Sequence, residues 1–280
     1  MVVNALTVDV EDWFQVGAFE KVIDRGDWDS LEHRVEANTG KVLDLFAASG
    51  VKATFFSLGW VADRYPRVIR RIVEEGHELA SHGWDHQRVF NLTPEQFRQD
   101  LARARAALED AGGAKVTGYR APSFSIDQRT PWAHEILAEE GYAYSSSVAP
   151  IRHDHYGWPE APRGAYKPIE GSGLIEVPVT LAKFMGREVT AGGGFFRLLP
   201  GSVVGSAVRE ANAVNRPAIF YFHPWEIDPG QPRVAQAPFK SRLRHYSRLG
   251  AMAGKLETLI ARHTWGRIDA IVAREAERLQ

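Results

Sequence analysis

His82 and His86 stand four residues apart in Glu78-Leu79-Ala80-Ser81-His82-Gly83-Trp84-Asp85-His86, ringed by small and polar side chains that packing alone does not require. On one helical turn, positions i and i+4 share a face, so two neutral imidazoles could converge on one cation. A catalytic metal centre needs a third ligand, commonly a carboxylate. Three carboxylates, Asp9, Glu11 and Asp12, fall within four residues directly behind an apolar run at 2–8. Acids that close repel one another unless a cation neutralises them. Arg120-Ala121-Pro122-Ser123 adds a guanidinium, and His223-Pro224-Trp225-Glu226 adds another imidazole. A paired His, a carboxylate cluster, a guanidinium and a further His together suit metal-assisted hydrolysis.

Each group follows a stretch that reads as a strand. Strands are expected at 2–8, 51–58, 77–80, 117–120, 142–148, 174–179 and 218–222. Helices are expected between them. One starts at Asn38-Thr39-Gly40 and is closed by Gly50, one spans 67–75, and one starts at Thr93-Pro94 with a capping hydroxyl and runs to about 110. Two more cover 130–140 and the stretch before residue 215. Residues 150–173 form a long Pro/Gly/His/Trp-rich excursion, a length that often carries function. Strands alternating with helices imply a mostly parallel sheet, closed or nearly closed, with its site where the strands end. The glycines at 192–194 lack the Lys-Ser/Thr ending of a phosphate loop.

Composition sets the outer limits. The chain has 280 residues, 44% of them apolar and 25% charged, with a net charge of −1. Nothing there suggests a broad electrostatic grip on nucleic acid or an acidic membrane. The basic run Arg242, Arg244, His245, Arg248 reads as a solvated helix face or one paired with acids. Cysteine is absent, which excludes disulfides, thiolate nucleophiles and Cys-zinc sites. No run nears ~18 apolar residues, and the first residues lack a basic leader, so no membrane span and a cytoplasmic location are expected.

The ordered motifs resemble the NodB-homology polysaccharide deacetylases, carbohydrate esterase family 4. Thr7-Val8-Asp9-Val10-Glu11-Asp12 resembles the family's Thr-Phe-Asp-Asp-Gly, and His82-Gly83-Trp84-Asp85-His86 its His-Ser/Thr-x-x-His. Arg120-Ala121-Pro122-Ser123 resembles Arg-x-Pro-Tyr, and Tyr221-Phe222-His223 the late Leu-x-His. The Asp-Val-Glu-Asp-aromatic-Phe opening, Phe195-Phe196-Arg197-Leu198-Leu199-Pro200 and a basic C-terminal extension are most similar to the exosortase-associated exopolysaccharide deacetylases.

The resemblance implies an α/β fold, a deformed (β/α) barrel over 1–240, with a mostly helical extension at 241–280 on the same domain. It also implies a metal-dependent amide hydrolase that deacetylates a polysaccharide or its oligosaccharide precursor in exopolysaccharide biosynthesis. Zinc comes first among the divalent metals, with cobalt, nickel or manganese as alternatives. By the family's pattern Asp12, His82 and His86 hold the metal. Asp9 is the base, held ionised by Arg120, and His223 protonates the leaving amine. The Ser123 N–H serves the oxyanion, and Trp84, Phe195 and Trp225 are candidate sugar platforms.

This chain also departs from the pattern. Val10-Glu11 separates the two family acids, and Glu11 competes with Asp12 because a continuing strand points it the same way as Asp9. Ser123 replaces a Tyr. Where the family places an Asp that orients the catalytic His, only Tyr144-Ser145-Ser146-Ser147 is found. An allantoinase-like small-amide hydrolase on the same fold, or an inactive carbohydrate-binding protein, are the alternatives. Retention of Asp9, both histidines and His223 favours an enzyme.

Overall fold

A computed structural model describes residues 2–152 and 156–279. Strand β1 (Asn4–Val10) is buried along its whole length, and its alternate side chains serve different layers. Leu6, Val8 and Val10 join the main core beneath the helices. Ala5 turns the other way, into an inner cluster with Phe56, Ala80, Tyr144, Ile175 and Ile219. Thr7 and Asp9 share that inner face, where both accept hydrogen bonds from Arg120.

β2 (Thr54–Ser57), β3 (Glu78–Ser81), β4 (Gly118–Tyr119), β5 (Tyr144–Ser145) and β6 (Ile175–Glu176) follow β1 in spatial order, all parallel. β7 (Leu181–Phe184) and β8 (Arg187–Thr190) make an antiparallel hairpin that the sequence reading missed. β9 (Ile219–Phe222) pairs with the other side of β1, and β10 (Trp265–Gly266) pairs with Asn4 and Ala5. Thr180 bridges the gap between β6 and β9. Its N–H donates to the Ile219 carbonyl at 3.2 Å, and its hydroxyl accepts from the Ile219 N–H at 2.8 Å. Closure by single residues rather than a continuous ladder is what deforms the barrel. The expected extension from 241 is helical, but it also feeds β10 into the sheet.

The capping hydroxyl expected at Thr93 is present, opening the helix Pro94–Gly112 with Gln96 completing the capping box. The helix expected from Asn38 starts earlier, at Val35–Ser49, and buries Asn38 and Thr39 inside it. Its cap comes from a distant residue. Asp12 Oδ2 accepts the N–H groups of Arg34 at 2.7 Å and Val35 at 3.0 Å, meeting donors that a helix start leaves open.

The barrel floor is filled by Ile268, Ile271 and Val272 of the helix Ile268–Arg278. Glu78 caps that helix from β3. One carboxylate oxygen accepts the Asp269 N–H (3.1 Å) and the Thr54 hydroxyl (2.5 Å), and the other accepts the Tyr144 hydroxyl (2.7 Å). Burial, with Asp269 nearby, pushes the Glu78 carboxyl up to about 7. A raised carboxyl favours the protonated folded state, so its stabilisation is complete below the unfolded value of 4.5 and is lost as pH rises through about 7. Glu78→Gln is therefore expected to remove a decline on the order of 3 kcal/mol across that window. Melting curves between pH 4 and 8 test it, and an unchanged pH dependence in the variant would contradict this role.

Candidate active site

The inner-face alternation continues past the strand ends and assembles the site. Glu11 follows Asp9, His82 follows Ala80, Arg120 follows Gly118, Ser146 follows Tyr144, and His223 follows Tyr221, two residues on in each case. Arg120 is fully buried at the centre. Its Nη1 donates to Asp9 Oδ1 and Thr7 Oγ1, both at 2.7 Å, and its Nε and Nη2 donate to the carbonyl and hydroxyl oxygens of Ser146. Its guanidinium lies 4.1 Å from the Phe56 ring centre. A buried cation and anion are tolerated only when paired and hydrogen-bonded in this way.

Glu11, His82 and His86 bring one ligand atom each to within 4.8 Å of one another, all three buried. His82 Nδ1 contacts the Arg120 carbonyl at 2.8 Å, which sets the tautomer and leaves Nε2 as the lone-pair donor. Burial lowers the His82 imidazole to about 4, keeping it neutral and ready as a ligand. Burial would raise the Glu11 carboxyl, but His86 and His223 overcome it and hold it down at about 2. Glu11 Oε2 lies 2.9 Å from His86 Nε2 without hydrogen-bond alignment and has no other donor among the described residues. An ionised buried carboxylate with an uncapped oxygen, beside two imidazole nitrogens, fits a divalent cation.

Two expectations are corrected here. Asp12 is not the carboxylate beside the histidines. It has the opposite parity, and its oxygens are taken by the N–H groups of Trp13, Arg34 and Val35. Burial is the leading influence on it and raises its carboxyl to about 6. The histidines do not share a helical turn either: His82 lies directly after β3, and His86 returns through left-handed backbone at Gly83 (φ 76°) and at His86 itself (φ 61°).

His223 completes the mouth, with Nε2 3.7 Å from Glu11 Oε1 and 4.0 Å from Asp9 Oδ2. Its Nδ1 meets Glu226 Oε2 at 3.0 Å, and the same oxygen accepts the His223 N–H at 3.1 Å. Glu226 therefore orients His223, the role left vacant at 144–147. Sequence reasoning missed it, although Pro and a Glu three residues after His223 are a helix-start signature. Burial opposes protonation of His223, but Glu11, Glu226 and Asp9 together push it up to about 9. Behind it, buried Arg197 donates to Glu226 Oε1 at 3.0 Å and to the carbonyls of Arg244, His245 and Ser247.

The aromatic candidates divide. Trp225 is stacked with His223 and His245, at 5.2 and 4.2 Å, and its Nε1 donates to Glu11 Oε1 at 3.1 Å. Trp225 is buried, so it braces Glu11 and cannot serve as a sugar platform. Trp84 is also unavailable, pressed against Gly59 with the Arg103 guanidinium 3.5 Å over its ring centre. Phe195 is half-buried on the short helix Gly193–Leu198. Ser123 sits in left-handed backbone (φ 57°) next to Phe124, whose ring contacts Tyr221. Part of the 150–173 excursion packs back here, since Ile151 and Tyr156 contact the Phe124–Tyr221 cluster. Residues 153–155 of that excursion lie outside the described residues.

Residues 23–145 match the polysaccharide deacetylase family, and 146–273 match a domain of unknown function (DUF3473). Over 98 residues the chain is 31% identical to a peptidoglycan-N-acetylglucosamine deacetylase of Bacillus cereus, covering 35% of this chain and 36% of that one. The chain spans less than two fifths of the length of the curated relatives it matches. A structure assigned as a polysaccharide deacetylase from Mycobacterium smegmatis superposes with a TM-score of 0.65 at 22% identity, over 99% of this chain and 91% of that one. Puue allantoinase gives 0.60 at 16% identity, over 97% and 89%. Both superpositions establish the α/β deformed-barrel fold and nothing finer. The first half of the chain is thus similar to the polysaccharide deacetylases and the second to DUF3473, each model spanning less than half of the chain. The two regions share one site: His82, His86 and Arg120 come from the first, and Arg197, His223 and Glu226 from the second.

Proposed function

We propose that this protein is a metal-dependent N-deacetylase acting on an acetylated polysaccharide or its oligosaccharide precursor. One observation carries the reading: the buried Glu11–His82–His86 cluster lies beside an Arg-paired Asp9 and a carboxylate-oriented His223. A divalent cation held by those three ligands, zinc first, would polarise the acetyl carbonyl and activate water. Asp9, fixed by Arg120, takes the proton from the attacking water. His223 gives its proton to the amine nitrogen as the carbon–nitrogen bond breaks. The Ser123 N–H is the proposed oxyanion donor, and Phe195 remains the proposed sugar contact. An amide-bound acetyl on a hexosamine suits this set and is the substrate named for the Bacillus cereus relative. The exopolysaccharide role rests on the motif resemblance to the exosortase-associated group.

Acetate release from N-acetylhexosamine oligomers is expected to stop after chelation and dialysis and to return with zinc or cobalt. Full activity in the thoroughly chelated protein would overturn the metal reading. Allantoin hydrolysis without sugar deacetylation would transfer the same site to a small-amide substrate.

A further inference from the structure

The net charge of −1 conceals a local segregation. Residues 229–256 carry six cationic side chains and no acidic one. Lys255 is engaged with the carbonyls of Phe196, Arg197 and Leu199. Arg233 lies over the Tyr246 ring, 4.3 Å from its centre. Elsewhere many arginines meet a carboxylate within 4.0 Å, Arg34, Arg64, Arg71, Arg98 and Arg163 among them. Among the described residues, none of Arg233, Lys240, Arg242, Arg244 and Arg248 has such a partner. The expected alternative of acid pairing is thus absent from this face. The helix Phe239–Tyr246 carries three of these five charges, and beside them Phe239 is 70% and Leu243 58% exposed. Phe239 and Leu243 are one turn apart, as are Lys240 and Arg244, so an apolar stripe and a basic stripe run side by side.

We propose that this helix docks on the surface of an anionic phospholipid bilayer. Phe239 and Leu243 enter the headgroup boundary, and Lys240, Arg242 and Arg244 meet the lipid phosphates, each drawn by a field that extends about one Debye length. Exposed apolar side chains next to unpaired cations fit this partner and not the others. An acidic polymer offers no apolar phase to Phe239 and Leu243. A second copy of the chain, docked face to face, would set five unpaired cations against their own mates. The helix is not loosely attached: Arg197 bonds the carbonyls at its C-terminal end and pairs with Glu226, so the docking helix and the brace of His223 are one unit.

Co-sedimentation of the full chain with vesicles tests the proposal. Binding is expected to vesicles of one part phosphatidylglycerol to two of phosphatidylcholine, to weaken as salt is raised, and to be absent with phosphatidylcholine alone. The double variants F239S/L243S and K240E/R244E are each expected to lower partitioning roughly tenfold or more, with unchanged melting because all four side chains are exposed. Wild-type protein that stays in the supernatant with anionic vesicles at low salt would overturn the proposal. So would F239S/L243S binding as tightly as wild type, particularly if alginate displaced both, since the partner would then be an acidic polymer. A dimer seen by light scattering that both double variants dissolve would replace the bilayer with a second copy.

Discussion

Glu11→Gln is expected to empty the metal centre, whereas Asp12→Asn leaves it filled. Glu11 presents an ionised, uncapped oxygen beside His86, and the amide would remove the only charge among the three ligands. Affinity for zinc should fall by at least about a hundredfold, as ligand-sphere changes commonly do, and deacetylation should fall with it until excess metal restores part of it. Asp12→Asn acts elsewhere. Asp12 uses one oxygen for Trp13 and the other for Arg34 and Val35, and an amide has only one acceptor oxygen. One side of that arrangement must lose its acceptor, destabilising the start of the helix Val35–Ser49 by about 1–3 kcal/mol without touching the metal. Metal content after zinc loading and dialysis, together with melting temperature, separates the two. Metal retained in Glu11→Gln and lost in Asp12→Asn would reverse the assignment.

His223→Ala is expected to slow turnover by roughly 10²–10⁴-fold while the bound metal stays near one per chain, because it removes the proposed acid and no ligand. Glu226→Gln should be milder in rate and more informative in pH. The Glu226 carboxylate is one of the charges that push His223 up to about 9. Without it the imidazole deprotonates sooner, so the alkaline limb of the kcat/KM profile should move to lower pH while the acidic limb stays in place. An unmoved alkaline limb in Glu226→Gln would mean that His223 is not the group titrating there. Equal losses in His223→Ala on amide and activated-ester substrates would assign His223 to oxyanion binding instead.

His82, His86, Asp9, Arg120 and His223 could be found in the sequence because each lies at or just beyond the end of a strand, and the ends of parallel strands gather on one face. The period-2 alternation even contained the answer for Glu11, since two residues beyond Asp9 is the inner face and three is the outer. What local spacing could not reveal was competition for each side chain. Asp12 went to two N–H groups more than twenty residues away, a pairing that exists only once the start of the helix Val35–Ser49 is brought to the segment after β1. Trp225 looked like an open aromatic platform, yet folding stacked two histidine rings on it and placed Glu11 at its ring nitrogen. The missing orienting acid was already written three residues after His223, but only the turn at Pro224–Ile227 bends Glu226 back to it. The cations after residue 229 are plain in the sequence as well. That they remain unpaired was decided by where the chain put its acids, because an ion pair is a property of distance in space and not of distance along the chain.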